Sequence, residues 1–543
     1  MSNRTPTRDI LLWVVLAVAG LTAFLALYDQ AFPTASVDLK ITAAQAAQQA
    51  SDYLQGRGFD VGDYKQVTIF DSDSPAAVYL QKTLGMEEAN RRIRDEKLPV
   101  WFWRTRWFRS QQKEEYRAYV SPTGELLGFQ QELEEDRAGA NLTEEEALAR
   151  AEAFLREVAR VPLDDYERVD SSSKKEKNRT DHTFVWKKKG FQIEEGELRL
   201  RVGVWGDTVG AYRHFFKVPE KFERDFKAVQ GQGQLLAILS VVFSVIFFGL
   251  ALVVFVQRYK ADDVRWRFAL VFAFLILLLG LGAQLNGLKL LQANYPSELN
   301  YGVFLAIVLS VLVLVMLIYG VFILLTGAAG EALTRDMRIE SVRPLHDLIA
   351  GRLLTPQFAA AAGRGYLAAG VMVGYFTLFY FLGRRFFGVW MQAESPYSNL
   401  LNTSFPFLFP LFVSLTAAIS EEFTYRFFAI PFLRKYLKNV FLALLIPAVI
   451  WGFGHSTYPV FPVYVRGIEV TLVGLLFGWL YLRYDILTCI MAHYAVDAIF
   501  IGWPLLKSEN TYFFVSGLIV AGLGLLPLIP ALVVWARRSS AAT

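Results

Sequence analysis

Ten apolar runs recur along this chain, at about 10–28, 235–256, 268–288, 301–325, 365–382, 405–419, 440–453, 468–482, 486–504 and 512–535. A helix of about 20 apolar residues is long enough to cross the hydrocarbon layer of a bilayer, so repeated runs of this kind predict a polytopic α-helical membrane protein. Composition agrees: 54% of the 543 residues are hydrophobic and 15% aromatic, well above a soluble domain. Net charge is only +4 from 55 basic and 51 acidic side chains, which gives no basis for a nucleic-acid partner. Cys489 is the sole cysteine, so an intrachain disulfide and a Cys-rich metal cluster are both excluded.

The first run follows Arg4 and Arg8 and exceeds the 7 to 15 apolar residues usual in a signal peptide; residues 1–36 are therefore expected to be an uncleaved anchor. Basic residues then set the orientation. Arg258 to Arg267, the Arg335 to Arg352 loop, Arg434 to Lys438, and Arg537 with Arg538 all fall on one side under strict alternation, the cytoplasmic side by the positive-inside rule. Arg384 and Arg385 fall opposite, a mild violation. Residues 231–400 are expected to be transmembrane helices with a cytoplasmic loop at 327–357 that lies as an interfacial amphipathic helix.

Between the first two runs the character changes. Residues 37–230 are polar and charge-mixed, as expected of an inserted α+β domain on the extracytoplasmic side of a cell (inner) membrane. This region is duplicated. The stretch ITAAQAAQQASDYL from Ile41 returns as LTEEEALARAEAFL from Leu142, each with a Thr, Thr42 or Thr143, placed to cap a helix. Aromatic strand candidates follow from Val100 and Thr183. Two hairpins come next, with Gly124 aligned to Gly206 and Gly128 to Gly210. The order helix, strands, hairpin resembles the PepSY family of exported modules.

Chemistry concentrates in the last quarter. Only five histidines occur, and two of them, His455 and His493, follow closely on the pair Glu421 and Glu422 within hydrophobic sequence. Ionisable side chains at membrane depth cost roughly 2.5 to 3.5 kcal/mol each on insertion scales, so they are retained for function and must satisfy one another. Helical spacing of four allows Glu422 to pair with Arg426 and His493 with Asp497. Glu421 is then left as the less compensated carboxylate, suited to accept a proton from water in a hydrolysis. The imidazoles, with or without a divalent metal such as zinc, would stabilise the developing oxyanion.

The succession EExxxR, a His in an aromatic and glycine-bearing segment, then HxxxD resembles the CPBP family of intramembrane proteases, also called the Abi or type II CAAX prenyl endopeptidase family. The residues that carry the likeness are Glu421, Glu422 and Arg426; Trp451, Phe453 and His455; and His493 with Asp497. Trp451 stands where the family usually has Phe. The resemblance implies that residues 401–543 form a protease core in which Glu421 activates water with help from His455. His493 and Asp497 would stabilise the oxyanion, or His455, His493 and Asp497 would hold a metal. From their own spacing, Glu422 and Arg426 read as a supporting clasp, and Arg466 with Glu469 as an interfacial ion pair in preference to a substrate-binding pair. The expected partners are the bilayer and a membrane-associated peptide or protein substrate. The alternative reading of the same polar groups is a proton-coupled transporter or a non-catalytic binding scaffold.

Overall fold

The structure, a computed structural model, describes residues 7–32, 37, 39–392 and 398–540. Arg4 lies outside them. The first apolar run is helix α1 (Thr7–Ala31). Beyond it stands the duplicated domain: α2 (Ala43–Gly56), β1 (Lys65–Ser72), α3 (Ser74–Leu84), α4 (Met86–Asp95), β2 (Trp101–Phe108), β3 (Glu115–Val120) and β4 (Leu126–Glu132). The second unit comprises α5 (Glu144–Ala153), β5 (Tyr166–Lys175), β6 (Thr180–Lys188), β7 (Glu197–Trp205) and β8 (Thr208–Lys217).

Both repeat helices begin at the expected threonines, and each start is a capping box. Thr42 accepts from the Gln45 backbone and Gln45 reaches back; Thr143 and Glu146 do the same. The hairpins β3–β4 and β7–β8 turn at Gly124 (φ +99°) and Gly206 (φ +62°), left-handed positions that glycine adopts without strain. All eight strands form one antiparallel sheet in the order β1-β2-β3-β4-β8-β7-β6-β5, so the two units meet through their last strands. Sequence similarity showed the duplication; only the pairing of β4 with β8 makes it a single sheet.

The rest is helical: α6 (Glu220–Lys260), α7 (Trp266–Asn286), the short α8 (Leu288–Ala293), α9 (Tyr301–Met337), α10 (Arg343–Ile349), α11 (Pro356–Phe386) and α12 (Ser398–Leu401). Then come α13 (Leu408–Glu421), α14 (Ile430–Leu437), α15 (Val440–Phe453), α16 (Tyr464–Arg483), α17 (Ile486–Leu506), α18 (Thr511–Gly524) and α19 (Leu528–Ser540). Among the described residues seven helices are long and apolar enough to cross a membrane, and eight if the bent pair α18–α19 is one span. Of the ten expected runs this count leaves out two: α15, which has 14 residues, and α13, whose 14 residues run on into a π-helical stretch.

A second correction concerns 327–357. Residues to Met337 continue α9 as a helix whose Gly327 to Thr334 stretch is buried, so this segment packs inside the bundle instead of lying at an interface. Its small side chains explain the close approach: a Cβ at Gly330 would meet the Phe427 carbonyl oxygen at 2.9 Å. His346 of α10 reaches Glu331 of α9 at 3.3 Å. Helix α1 packs into the bundle the same way, since a Cβ at Gly20 would lie 2.3 Å from the Gly370 carbonyl oxygen of α11.

The 41 residues of α6 extend for about 60 Å, twice the thickness of a hydrocarbon layer, so its polar first turns carry the chain from the sheet into the bundle. The sheet also rests on the bundle directly. Arg106 Nη1 donates to the Tyr295 carbonyl at 2.6 Å, and Ile69 packs with Ala293 and Tyr295. Finally, β9 (Trp390–Met391) pairs with β10 (Val460–Phe461) beside the segment that carries His455.

Candidate active site

Helix α13 delivers Glu421 at its last residue, and the chain continues without a break through a π-helical stretch, Glu422–Ala429, into α14. An ordinary α-helix is expected there; the wider π turn is the correction, and such bulges gather at functional sites. The anticipated division of labour between the glutamates is visible. The Glu422 side chain is fully buried and receives Arg426 Nη1 at 3.0 Å, whereas that of Glu421 is 29% exposed. A buried carboxylate needs a counter-charge, and the guanidinium supplies it while lying 4.0 Å from the centre of the Trp451 ring and 4.9 Å from that of Phe477.

His493, from the middle of α17, enters between the two acids. Its Nδ1 bonds Glu422 Oε1 at 2.8 Å, and its Nε2 stands 3.8 Å from Glu421 Oε2 and 3.5 Å from Asp497 Oδ2. The ring stacks on Phe477, centroids 5.3 Å apart, so contacts on several sides fix its orientation. Glu421, Glu422, Arg426, His493 and Asp497 are thus brought together from two helical runs more than 60 residues apart in sequence, as their spacing predicts.

His455 joins this group less directly. It follows α15, and its Nδ1 lies 2.9 Å from the Trp451 carbonyl. A carbonyl can only accept, so in the neutral ring the proton sits on Nδ1 and Nε2 keeps its lone pair. Among the described residues His455 makes no ion pair with either glutamate. Trp451 bridges the two: its Nε1 donates to Glu421 Oε2, and its ring packs edge-on against both His455 and His493, with centroids 5.4 and 5.7 Å away. Sequence reading gave Trp451 only an aromatic place. Its position four before His455, on one helical face, was the available signal for a closer role, and Phe477 carried none.

Arg466 and Glu469 do pair, at 2.8 Å, but the interfacial setting is corrected. Glu469 is completely buried and also accepts from the Tyr380 hydroxyl at 3.0 Å, because α11 packs over this turn of α16. Among the described residues no three His, Cys, Asp or Glu side chains are gathered so as to hold a metal ion. His455, His493 and Asp497 therefore do not make a ready ligand set.

This arrangement has a counterpart among known proteins. Residues 403–499, which include every side chain just described except the partners from α11, match the family described as type II CAAX prenyl endopeptidase Rce1-like. The C-terminal bundle carries a CAAX-protease-type domain. The match agrees with the resemblance drawn from the three motifs. Upstream of this CAAX-protease-type domain, residues 87–213 match a family described as the YcdB, YcdC repeated domain, in keeping with the duplication and under a name other than PepSY. Over most of its length the chain is similar to the sporulation-killing factor biosynthesis protein SkfC of Bacillus subtilis (strain 168). The two are 20% identical over 507 residues, 92% of this chain and 95% of that protein. No solved structure matches the chain significantly.

Proposed function

We infer that the protein is an intramembrane endopeptidase of the cell (inner) membrane that hydrolyses a peptide bond in a membrane-associated substrate, with residues 37–230 on the extracytoplasmic side. One observation carries this reading. Glu421 is partly exposed and faces His493 Nε2 at 3.8 Å, while its neighbour Glu422 is sealed in a clasp with Arg426. Such an asymmetry leaves one carboxylate free to act on water and uses the other to hold the imidazole in place.

In the proposed mechanism Glu421 accepts a proton from water as it attacks the scissile carbonyl, and His455 Nε2 shares that role as a second base. Trp451 Nε1 orients Glu421. In its doubly protonated form His493 donates from Nδ1 to Glu422 and presents Nε2–H to the oxyanion of the tetrahedral intermediate, with Asp497 steadying the ring. Glu421 then returns its proton to the leaving amine. The match of residues 403–499 to a family described as an endopeptidase supports hydrolysis of a peptide bond.

The deciding experiment is Glu421→Gln in the full chain, purified in detergent and assayed against a peptide library by mass spectrometry. Cleavage should disappear with an unchanged melting temperature. Full activity in that variant would overturn the assignment of the base.

A further inference from the structure

Pro431 lies in the first turn of α14, directly after the π turn, and a proline has no N–H to donate. In a continuous α-helix that N–H would go to the carbonyl four residues back, which is Phe427. Phe427 is fully buried, so solvent does not stand in for the missing donor. A buried carbonyl in this position needs a donor from another part of the fold.

Helix α9 provides one. Thr334 Oγ1 donates to the Phe427 carbonyl at 3.2 Å, and the same oxygen lies 2.6 Å from the Tyr481 hydroxyl of α16. Thr334 has one hydroxyl proton and a carbonyl only accepts, so Tyr481 is the donor in the second bond. The hydrogen bonds therefore run from Tyr481 to Thr334 to Phe427, and both hydroxyl residues are fully buried. One turn earlier on α9, Gly330 admits the Phe427 backbone, whose carbonyl carbon would stand 3.0 Å from a Cβ there.

This contact falls at the base of the candidate active site. Phe427 follows Arg426 directly, Arg426 holds Glu422, and Glu422 is bonded to His493 Nδ1. Tyr481 stands one turn after Phe477 on α16, and the Phe477 ring lies against both His493 and the Arg426 guanidinium. Helix α16 thus backs the imidazole with one side chain and, through Thr334, secures the turn that carries its clasp with the next. Thr334 makes no hydrogen bond to a glutamate or a histidine among the described residues, so it acts on the site through the backbone of that turn.

We propose that Thr334 is a positioning residue for the reaction: by occupying the Phe427 carbonyl it holds the π turn in the register that sets the Glu422–Arg426 clasp, and with it the His493 ring, against Glu421. Without the hydroxyl the buried carbonyl must turn to find another donor, and Arg426, its neighbour in the chain, turns with it.

Only the kinetic arm of the test rests on the endopeptidase reading. Thr334→Val exchanges the hydroxyl for a methyl group, and Thr334→Ser keeps the hydroxyl and gives up the methyl. The full chain is labelled with 15N-histidine, purified in detergent and followed by NMR at His493 Nδ1, a signal assigned by its loss in His493→Gln. In parallel, kcat and KM are measured on a cleaved peptide.

Thr334→Val should shift the His493 resonance and lower kcat roughly tenfold, with KM and melting temperature little changed. Thr334→Ser should keep both at their wild-type values. A packing defect predicts the opposite order, because serine leaves the larger void. Should Thr334→Val fail to fold, Tyr481→Phe takes its place, since it removes the donor that orients the Thr334 hydroxyl and should move the same resonance. A resonance unmoved in the variant tested, or moved as far in Thr334→Ser, would overturn the assignment whatever the cleavage rate, and so would an unchanged kcat. If the wild type cleaves no peptide, the endopeptidase reading falls and the resonance alone decides the role of Thr334.

Discussion

The side chain of Asn402 grips the backbone of Phe70 at two points: Oδ1 accepts from the Phe70 amide at 2.7 Å, and Nδ2 donates to its carbonyl at 2.9 Å. Phe70 lies on β1, the edge strand of the sheet, whose outer backbone groups would otherwise lack strand partners. One amide side chain thereby substitutes for a neighbouring strand and fastens the duplicated domain to the approach of α13. Asn402→Ala should cost about 1 to 3 kcal/mol, since two buried backbone groups lose their partners. The loss should appear as faster hydrogen exchange at β1, with the remaining strands unaffected.

Glu422 and Glu421 are adjacent in sequence and should behave oppositely when replaced. Glu422→Gln leaves Arg426 buried without its counter-charge and offers His493 Nδ1 only a neutral amide oxygen, a loss on the order of 3 to 5 kcal/mol. The variant is expected to melt markedly lower than Glu421→Gln, which exposes no buried charge. Equal melting temperatures for the two would contradict the clasp.

Trp451→Phe separates the indole N–H from the ring. The ring contacts with Arg426 and His493 survive, but Glu421 Oε2 loses its donor. Hydrogen bonds to charged groups contribute roughly 1.5 to 3 kcal/mol, so kcat should fall roughly ten- to hundredfold with KM and melting temperature little changed. Steady-state kinetics on a cleaved peptide provide the check.

Much of this site was legible because it depends on local spacing. The steps from Glu422 to Arg426 and from His493 to Asp497 each place two side chains on one helical face, and the repeat helices announce themselves through Thr42 and Thr143. What stayed hidden depends on distant packing. The π turn at Glu422–Ala429 has no composition signature, and the burial of Glu469 is caused by Tyr380 from another helix. The register that sets Gly128 between Tyr119 and Arg213 depends on a strand order that no single segment encodes. The ten apolar runs and the seven or eight spanning helices differ at α13, which runs on into the π turn, and at α15, which has 14 residues.

The duplicated domain should lose stability in mild acid. Burial, with help from the nearby Lys188 cation, pushes the His214 imidazole of β8 down to about 4, against about 6.5 in an unfolded chain. The unfolded state then binds more protons between these values, so stability falls as pH drops from about 6.5 toward 4 and is fully lost for this group below that. His214→Gln removes the titration. Melting temperatures measured from pH 7.5 to 4.5 should fall more steeply for the wild type than for the variant, and parallel curves would refute the assignment.

Chelation tests the remaining choice in the chemistry. In the arrangement described, His493 Nδ1 is engaged by Glu422, its Nε2 faces two carboxylates, and His455 Nδ1 is turned to the Trp451 carbonyl. A divalent ion would have to recruit His455 Nε2 and His493 Nε2, and among the described residues no three His, Cys, Asp or Glu side chains are gathered so as to hold one. Incubation with EDTA or 1,10-phenanthroline followed by desalting should therefore leave peptide cleavage unchanged, whereas a mechanism through zinc requires lost activity that returns when zinc is added back. If activity follows the metal, His455, His493 and Asp497 would be the residues to hold it, after a rearrangement of the His493–Glu422 contact, and the ion would supply Lewis-acid activation of water.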